Sequence, residues 1–70
     1  MNWTNYNLEQ KTDLISYDQV IEMINKQKIN LIQGEPSNLH TSSIRIDKIN
    51  GGLFIWSGTM QRYYLFAKLV

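Results

Sequence analysis

The sequence predicts an α+β fold, a single helix packed on an antiparallel β-sheet of three to five strands with a C-terminal β-meander. Three observations point there. A capped segment with helical apolar spacing begins at Ser16. Two β-rich runs flank Asn50-Gly51-Gly52, a strong hairpin signal. A third β-rich run, residues 62–69, follows a turn over Ser57-Gly58-Thr59-Met60.

Seventy residues suit one domain, 1–70. A domain this size buries only ~60% of the surface its unfolded chain exposes, so its net stability is expected at ~4–10 kcal/mol. No cysteine is present, so disulfides are excluded and a reducing compartment fits. With His40 as the one histidine, no metal site and no cofactor is expected. Seven basic residues against six acidic ones leave no global field, so nucleic acid or membrane would need a local patch. The first six residues, Met1 to Tyr6, lack the basic-then-apolar pattern of a signal peptide, and no apolar run approaches ~18 residues. A cytoplasmic location without membrane contact is the expectation.

Residues 2–13 are polar and Asn-rich, which disfavours a helix and favours a short strand or a docked arm, with Trp3 and Tyr6 as covering groups. Ser16 and Gln19 then form a capping box, with Ile15 and Val20 placed as a hydrophobic staple. Tyr17, Val20, Ile21 and Ile24 make one apolar stripe. Asp18 near its start and Lys26 and Lys28 near its end suit the helix dipole. The helix is expected to end near Lys28, with a short strand over 29–33. Continuation of the helix to Gly34 is the alternative. Residues 34–42, containing Pro36, read as a loop, and strands are expected over 43–49, 53–57 and 62–69.

The hairpin's register decides which way its aromatic residues point. With Asn50-Gly51 as a two-residue turn, Ile46 opposes Ile55, Lys48 opposes Leu53, Arg45 opposes Trp56 and Asp47 opposes Phe54. A three-residue loop would slip the pairing by one and move Phe54 and Trp56 to the other face. The first parity is preferred because Ile44, Ile46, Leu53 and Ile55 then make a uniform aliphatic floor for the helix, extended by Tyr63, Leu65, Ala67 and Leu69. The opposite face carries Arg45, Asp47, Phe54, Trp56, Arg62, Tyr64, Phe66 and Lys68. Such a face is either a second small core under the N-terminal arm or an exposed contact platform.

No catalytic constellation stands out. His40 has Thr41, Ser42 and Ser43 beside it, but sequence neighbours in a loop do not make a triad. Gly51-Gly52 lacks the spacing and following helix of a phosphate-binding loop. A non-enzymatic binding protein is the expectation, with Arg45, Lys48, Phe54, Trp56, Arg62, Tyr64, Phe66 and Lys68 as partner-binding candidates.

His40, Ile44-Arg45-Ile46-Asp47, Asn50-Gly51 and Leu53-Phe54-Ile55 resemble the strand–turn–strand of the ninth type I-F anti-CRISPR family, and the capped helix from Ser16 to Lys26 looks similar. These segments cover under half the chain. Residues 29–39 look inserted, Gly52 adds a residue to the turn, and the final strand matches through Arg62 and the aromatic after it. The resemblance implies a small phage-encoded inhibitor that binds the backbone subunit of a CRISPR surveillance complex and blocks guide–target pairing. Arg45, Lys48 and Arg62 stand where that family has contact residues. Two other readings stay open: a sheet platform for single-stranded nucleic acid, carried by Phe54, Trp56 and Tyr64 with nearby cations, and an accessory subunit that forms a homodimer.

Overall fold

The structure, a computed structural model, describes residues 11–70. Trp3 and Tyr6, expected as covering groups, lie outside the described residues. In chain order the elements are β1 (Asp13–Ile15), α1 (Tyr17–Asn25), β2 (Ile29–Leu31), β3 (Ile44–Asp47), β4 (Gly52–Ser57) and β5 (Arg62–Leu69). All strand pairs are antiparallel, in the order β1-β3-β4-β5-β2, so the helix packs on one face of a five-stranded open sheet.

The helix begins as its residues dictate. Ser16 Oγ accepts from the Gln19 N–H at 3.2 Å, and the Ser16 N–H donates to Gln19 Oε1 at 3.0 Å. Val20 is fully buried; Ile15, Ile21, Met23 and Ile24 pack against the core around it. Tyr17, expected in the stripe, is 38% exposed and lies edge-on to His40. The helix stops at Asn25, three residues before the expected end. Gln27 adopts φ 57°, its N–H donates to the Ile24 carbonyl, and the Lys28 N–H donates to the Met23 carbonyl. This is a Schellman termination with glutamine at the position glycine usually fills. It turns Ile29 into the core at the start of β2.

β1 carries no period long enough to read from sequence, yet it extends the sheet beyond β3, with Asp13 opposite Ile46 and Ile15 opposite Ile44. The loop after β2 holds a core residue that its polar composition concealed. Leu39 is 1% exposed, and Asn38 Nδ2 anchors the loop by donating to Ser42 Oγ (2.8 Å) and the Trp56 carbonyl (3.2 Å).

The β3–β4 connection corrects the expected two-residue turn. Asp47 opposes Gly52, so residues 48–51 form the loop, and Ile46 faces Leu53 instead of Ile55. The cause is Asp47, whose Oδ1 accepts from the N–H groups of Ile49 (3.0 Å) and Asn50 (3.1 Å) while Oδ2 accepts from Asn50 Nδ2 (3.0 Å). These bonds wind the loop helically, and Gly51 closes it at φ 82°. The slip is an even number of residues, so the expected parity survives: Ile44, Ile46, Leu53 and Ile55 are all buried toward the helix.

Parity does not survive along β5. Leu53 opposes Ala67 but Phe54 opposes Leu65, which leaves Phe66 as the extra residue of a bulge. Before the bulge every side chain changes face relative to expectation. Tyr64 joins Ile55 on the helix side, and Tyr63 and Leu65 join Trp56 and Phe54 on the other. Tyr64 and the 3%-exposed Phe66 therefore pack into the main core, contrary to their expected place beside Phe54 and Trp56. Arg62 likewise sits opposite Ser57, on the helix side.

Candidate functional site

The face away from the helix is built from three rows. Leu14, Arg45, Phe54 and Leu65 lie across its middle, Asp47, Gly52, Lys68 and Asn30 across one end, and Trp56 and Tyr63 across the other. Chemistry differs sharply between rows.

The middle row is largely closed. Phe54 is 5% exposed. A side chain on Gly52 would meet Leu65 Cδ1 at 2.9 Å and Phe54 Cε1 at 3.3 Å, so the missing Cβ is what lets both residues close over this strand. Arg45 is committed as well: its Nε donates to Thr12 Oγ1 at 2.7 Å and its Nη2 to the Thr12 carbonyl at 3.1 Å. This part of the face is closed at Phe54, which is not the open ring a platform requires. Leu14, 68% exposed at the sheet edge, and the partly exposed Leu65 at the other edge remain accessible in this row.

At the end near the β3–β4 loop, Lys48 extends into solvent with its Nζ 3.8 Å from Asp13 Oδ2, and Lys68 is exposed. At that separation and exposure the ion pair contributes well under ~1 kcal/mol. The Asp47 carboxyl is held below its ordinary range, chiefly by the Asn50 N–H, then by the Asn50 side chain, the Ile49 N–H and the Lys11 charge, against a partial loss of hydration. Its negative charge belongs to the turn. Arg45, Lys48 and Arg62, the basic positions implied by the family resemblance, lie respectively mid-sheet, at one end and at the other, so the fold does not gather them into one patch.

The opposite end, around the β4–β5 loop of residues 58–61, carries two side-chain pairs, one of which reaches round to the helix side through Arg62. Trp56 and Tyr63 stand edge-to-face with ring centroids 5.3 Å apart, both partly exposed. Trp56 is fixed through its backbone: its N–H donates to the Ser43 carbonyl at 3.0 Å and its carbonyl accepts from Asn38. Met60 is 45% exposed in the loop, and Arg62 Nη2 lies 3.9 Å from Met60 Sδ. The loop is held by Ser57 Oγ, which accepts from the Met60 N–H, and by Gln61 at φ 56°. Of the eight sequence candidates, Trp56 and Arg62 belong to this end. Tyr63 was missed because the bulge that turns it outward has no sequence signal, and Met60 because it lies in a segment that reads only as a turn.

Beside this end runs a groove of about 250 Å³ between residues 32–36 and Tyr64, Leu65 and Phe66. Among the described residues no group of three or more His, Cys, Asp or Glu side chains is placed to hold a metal. His40 meets Tyr17, while the Ser42 hydroxyl accepts from Asn38. No described helix is long and apolar enough to cross a membrane. Comparison with protein-family models, curated proteins and solved structures returned no match.

Proposed function

We propose that the chain is a non-enzymatic binding protein that acts by occupying a surface of a larger protein, with the β4–β5 end of the sheet as its contact region. The observation that carries this reading is that one hairpin end presents two side-chain pairs, Trp56 with Tyr63 on the face away from the helix and Met60 with Arg62 at the loop and the helix side. Aromatic residues, methionine and arginine are the types enriched at the energetic centres of protein interfaces. A rigidly held Trp–Tyr pair also loses little side-chain entropy on docking.

The favoured partner class is a host defence assembly, specifically a CRISPR surveillance complex. That choice rests on the hairpin resemblance over residues 44–55. A single-stranded nucleic acid fits less well. Stacking needs open rings beside free cations, yet Phe54 and Phe66 are buried and the Arg45 guanidinium is bound to Thr12.

The test is co-purification of the tagged chain with a type I-F surveillance complex, coupled to a target-DNA binding assay. Association, loss of DNA binding, and relief of both effects by Trp56→Ala with Arg62→Glu are expected. A complex that binds target DNA equally well with the chain present in excess would reject the defence-complex assignment. Quenching of tryptophan emission by a single-stranded oligonucleotide at low salt, reversed at high salt, would select the nucleic-acid reading instead.

A further inference from the structure

We propose that the outer edge of β5 over residues 62–65 is a strand-addition site. Its occupant is an extended segment of a partner protein, with apolar side chains at alternate positions and a carboxylate at its Arg62 end. The inference rests on the binding role above and specifies how partner chain is held.

β5 is eight residues long, but β2 pairs only with Ala67, Lys68 and Leu69, and its last link is the Ile32 N–H to the Phe66 carbonyl at 3.0 Å. The chain then turns away through residues 32–36, and among the described residues no strand lies beside 62–65. Backbone alternation identifies the groups left there. The Trp56 N–H donates to the Ser43 carbonyl, so the Trp56 main chain faces β3 and those of Ile55 and Ser57 face β5. Their partners Tyr64 and Arg62 are thereby engaged with β4. Tyr63 turns its N–H and C=O, and Leu65 its N–H, to the open edge. Two donors and an acceptor in strand spacing match an extended backbone.

The side chains define the occupant further. The groove wall contributes Ile32, 51% exposed, together with Pro36 and Tyr64, and suits apolar side chains on one side of an added strand. Tyr63 and Leu65 offer apolar contact on the other side. Arg62 is exposed and pairs with no carboxylate among the described residues, which leaves its charge for the occupant. A second copy paired antiparallel about Tyr64 is disfavoured, because its residue 62 would lie opposite Phe66, where Ile32 already sits. The added strand must therefore end or bend away at Leu65.

A phage-displayed random heptapeptide library, selected on the whole chain, tests this. The chain is short enough for chemical synthesis, so N-methyl-Leu65 can remove the edge donor while keeping the leucine side chain. Enriched peptides are expected to alternate apolar residues and to carry a carboxylate near one end. Their affinity is expected to fall tenfold or more with N-methyl-Leu65 and severalfold with Arg62→Glu. Amide shift changes on binding should centre on residues 32–36 and 62–66. No enrichment, or peptides that bind the N-methyl-Leu65 chain unchanged, would overturn the proposal. A concentration-dependent dimer abolished by the N-methyl group would overturn it in favour of a second copy. Peptides mapping to Trp56 and Met60 alone would remove the edge site and leave the binding role standing. Edge peptides without surveillance-complex association would do the reverse for the defence-complex assignment.

Discussion

Replacing Asp47 with alanine removes the three hydrogen bonds that wind the β3–β4 loop, from the Ile49 N–H, the Asn50 N–H and Asn50 Nδ2. Loss of a comparable helix cap costs ~0.5–2 kcal/mol, and bonds to a charged acceptor lie toward the upper end. Ile49 and Asn50 are exposed, so their freed N–H groups regain water and the full desolvation penalty does not apply. A cost of about 2 kcal/mol follows, equivalent to a Tm fall of roughly 8–16 °C in a domain of this size. The pH dependence gives a second handle. The folded carboxyl is held below its unfolded value, so the unfolded chain takes up the proton first as pH falls. The Asp47 contribution is therefore complete above about pH 4 and is lost as pH falls through the folded pKa. Urea unfolding of wild type and Asp47→Ala at pH 7 and pH 2.5 measures both effects. A difference below about 0.5 kcal/mol at pH 7, or one that does not shrink in acid, refutes the assignment of the turn to this carboxylate.

Gln27→Gly relieves the left-handed residue that ends α1, and a gain of about 0.5–1 kcal/mol is expected once the greater unfolded-state freedom of glycine is counted; calorimetric Tm checks it. Leu39→Ala should cost ~2–4 kcal/mol in denaturant unfolding, against near zero for an ordinary exposed loop residue. Gly52→Ala should destabilise by ~1–2 kcal/mol, with part of that cost relieved in a Leu65→Ala background, because Leu65 Cδ1 is the nearest obstacle. A double-mutant cycle without coupling would place Leu65 on the helix face and refute the bulge.

The helix start was legible because a capping box is a local event: Ser16 and Gln19 find each other within one turn wherever the helix sits. The helix end was not, since Gln27 in the left-handed region is an unfavourable choice that the burial of Ile29 offsets. Leu39 was hidden because its loop is polar in composition and the fold needed one leucine from it. The candidate site was half legible. Trp56 and Arg62 were named, whereas Tyr63 and Met60 were not, and Phe54, Tyr64 and Phe66 were assigned to a surface that the fold closes or turns away.

By itself the sequence determined the class of fold, the start of the helix, the aliphatic floor under it and the existence of the C-terminal meander, because these follow from periods and caps that act over a few residues. Only the tertiary structure decided which aromatic residues reach solvent. One extra residue at Phe66 reverses every side chain before it in β5, and whether a strand takes a bulge depends on fitting the core, not on any local pattern. The open edge at Tyr63 and Leu65 was decided the same way: β2 stops at Leu31, and the loop that follows returns Leu39 to the core.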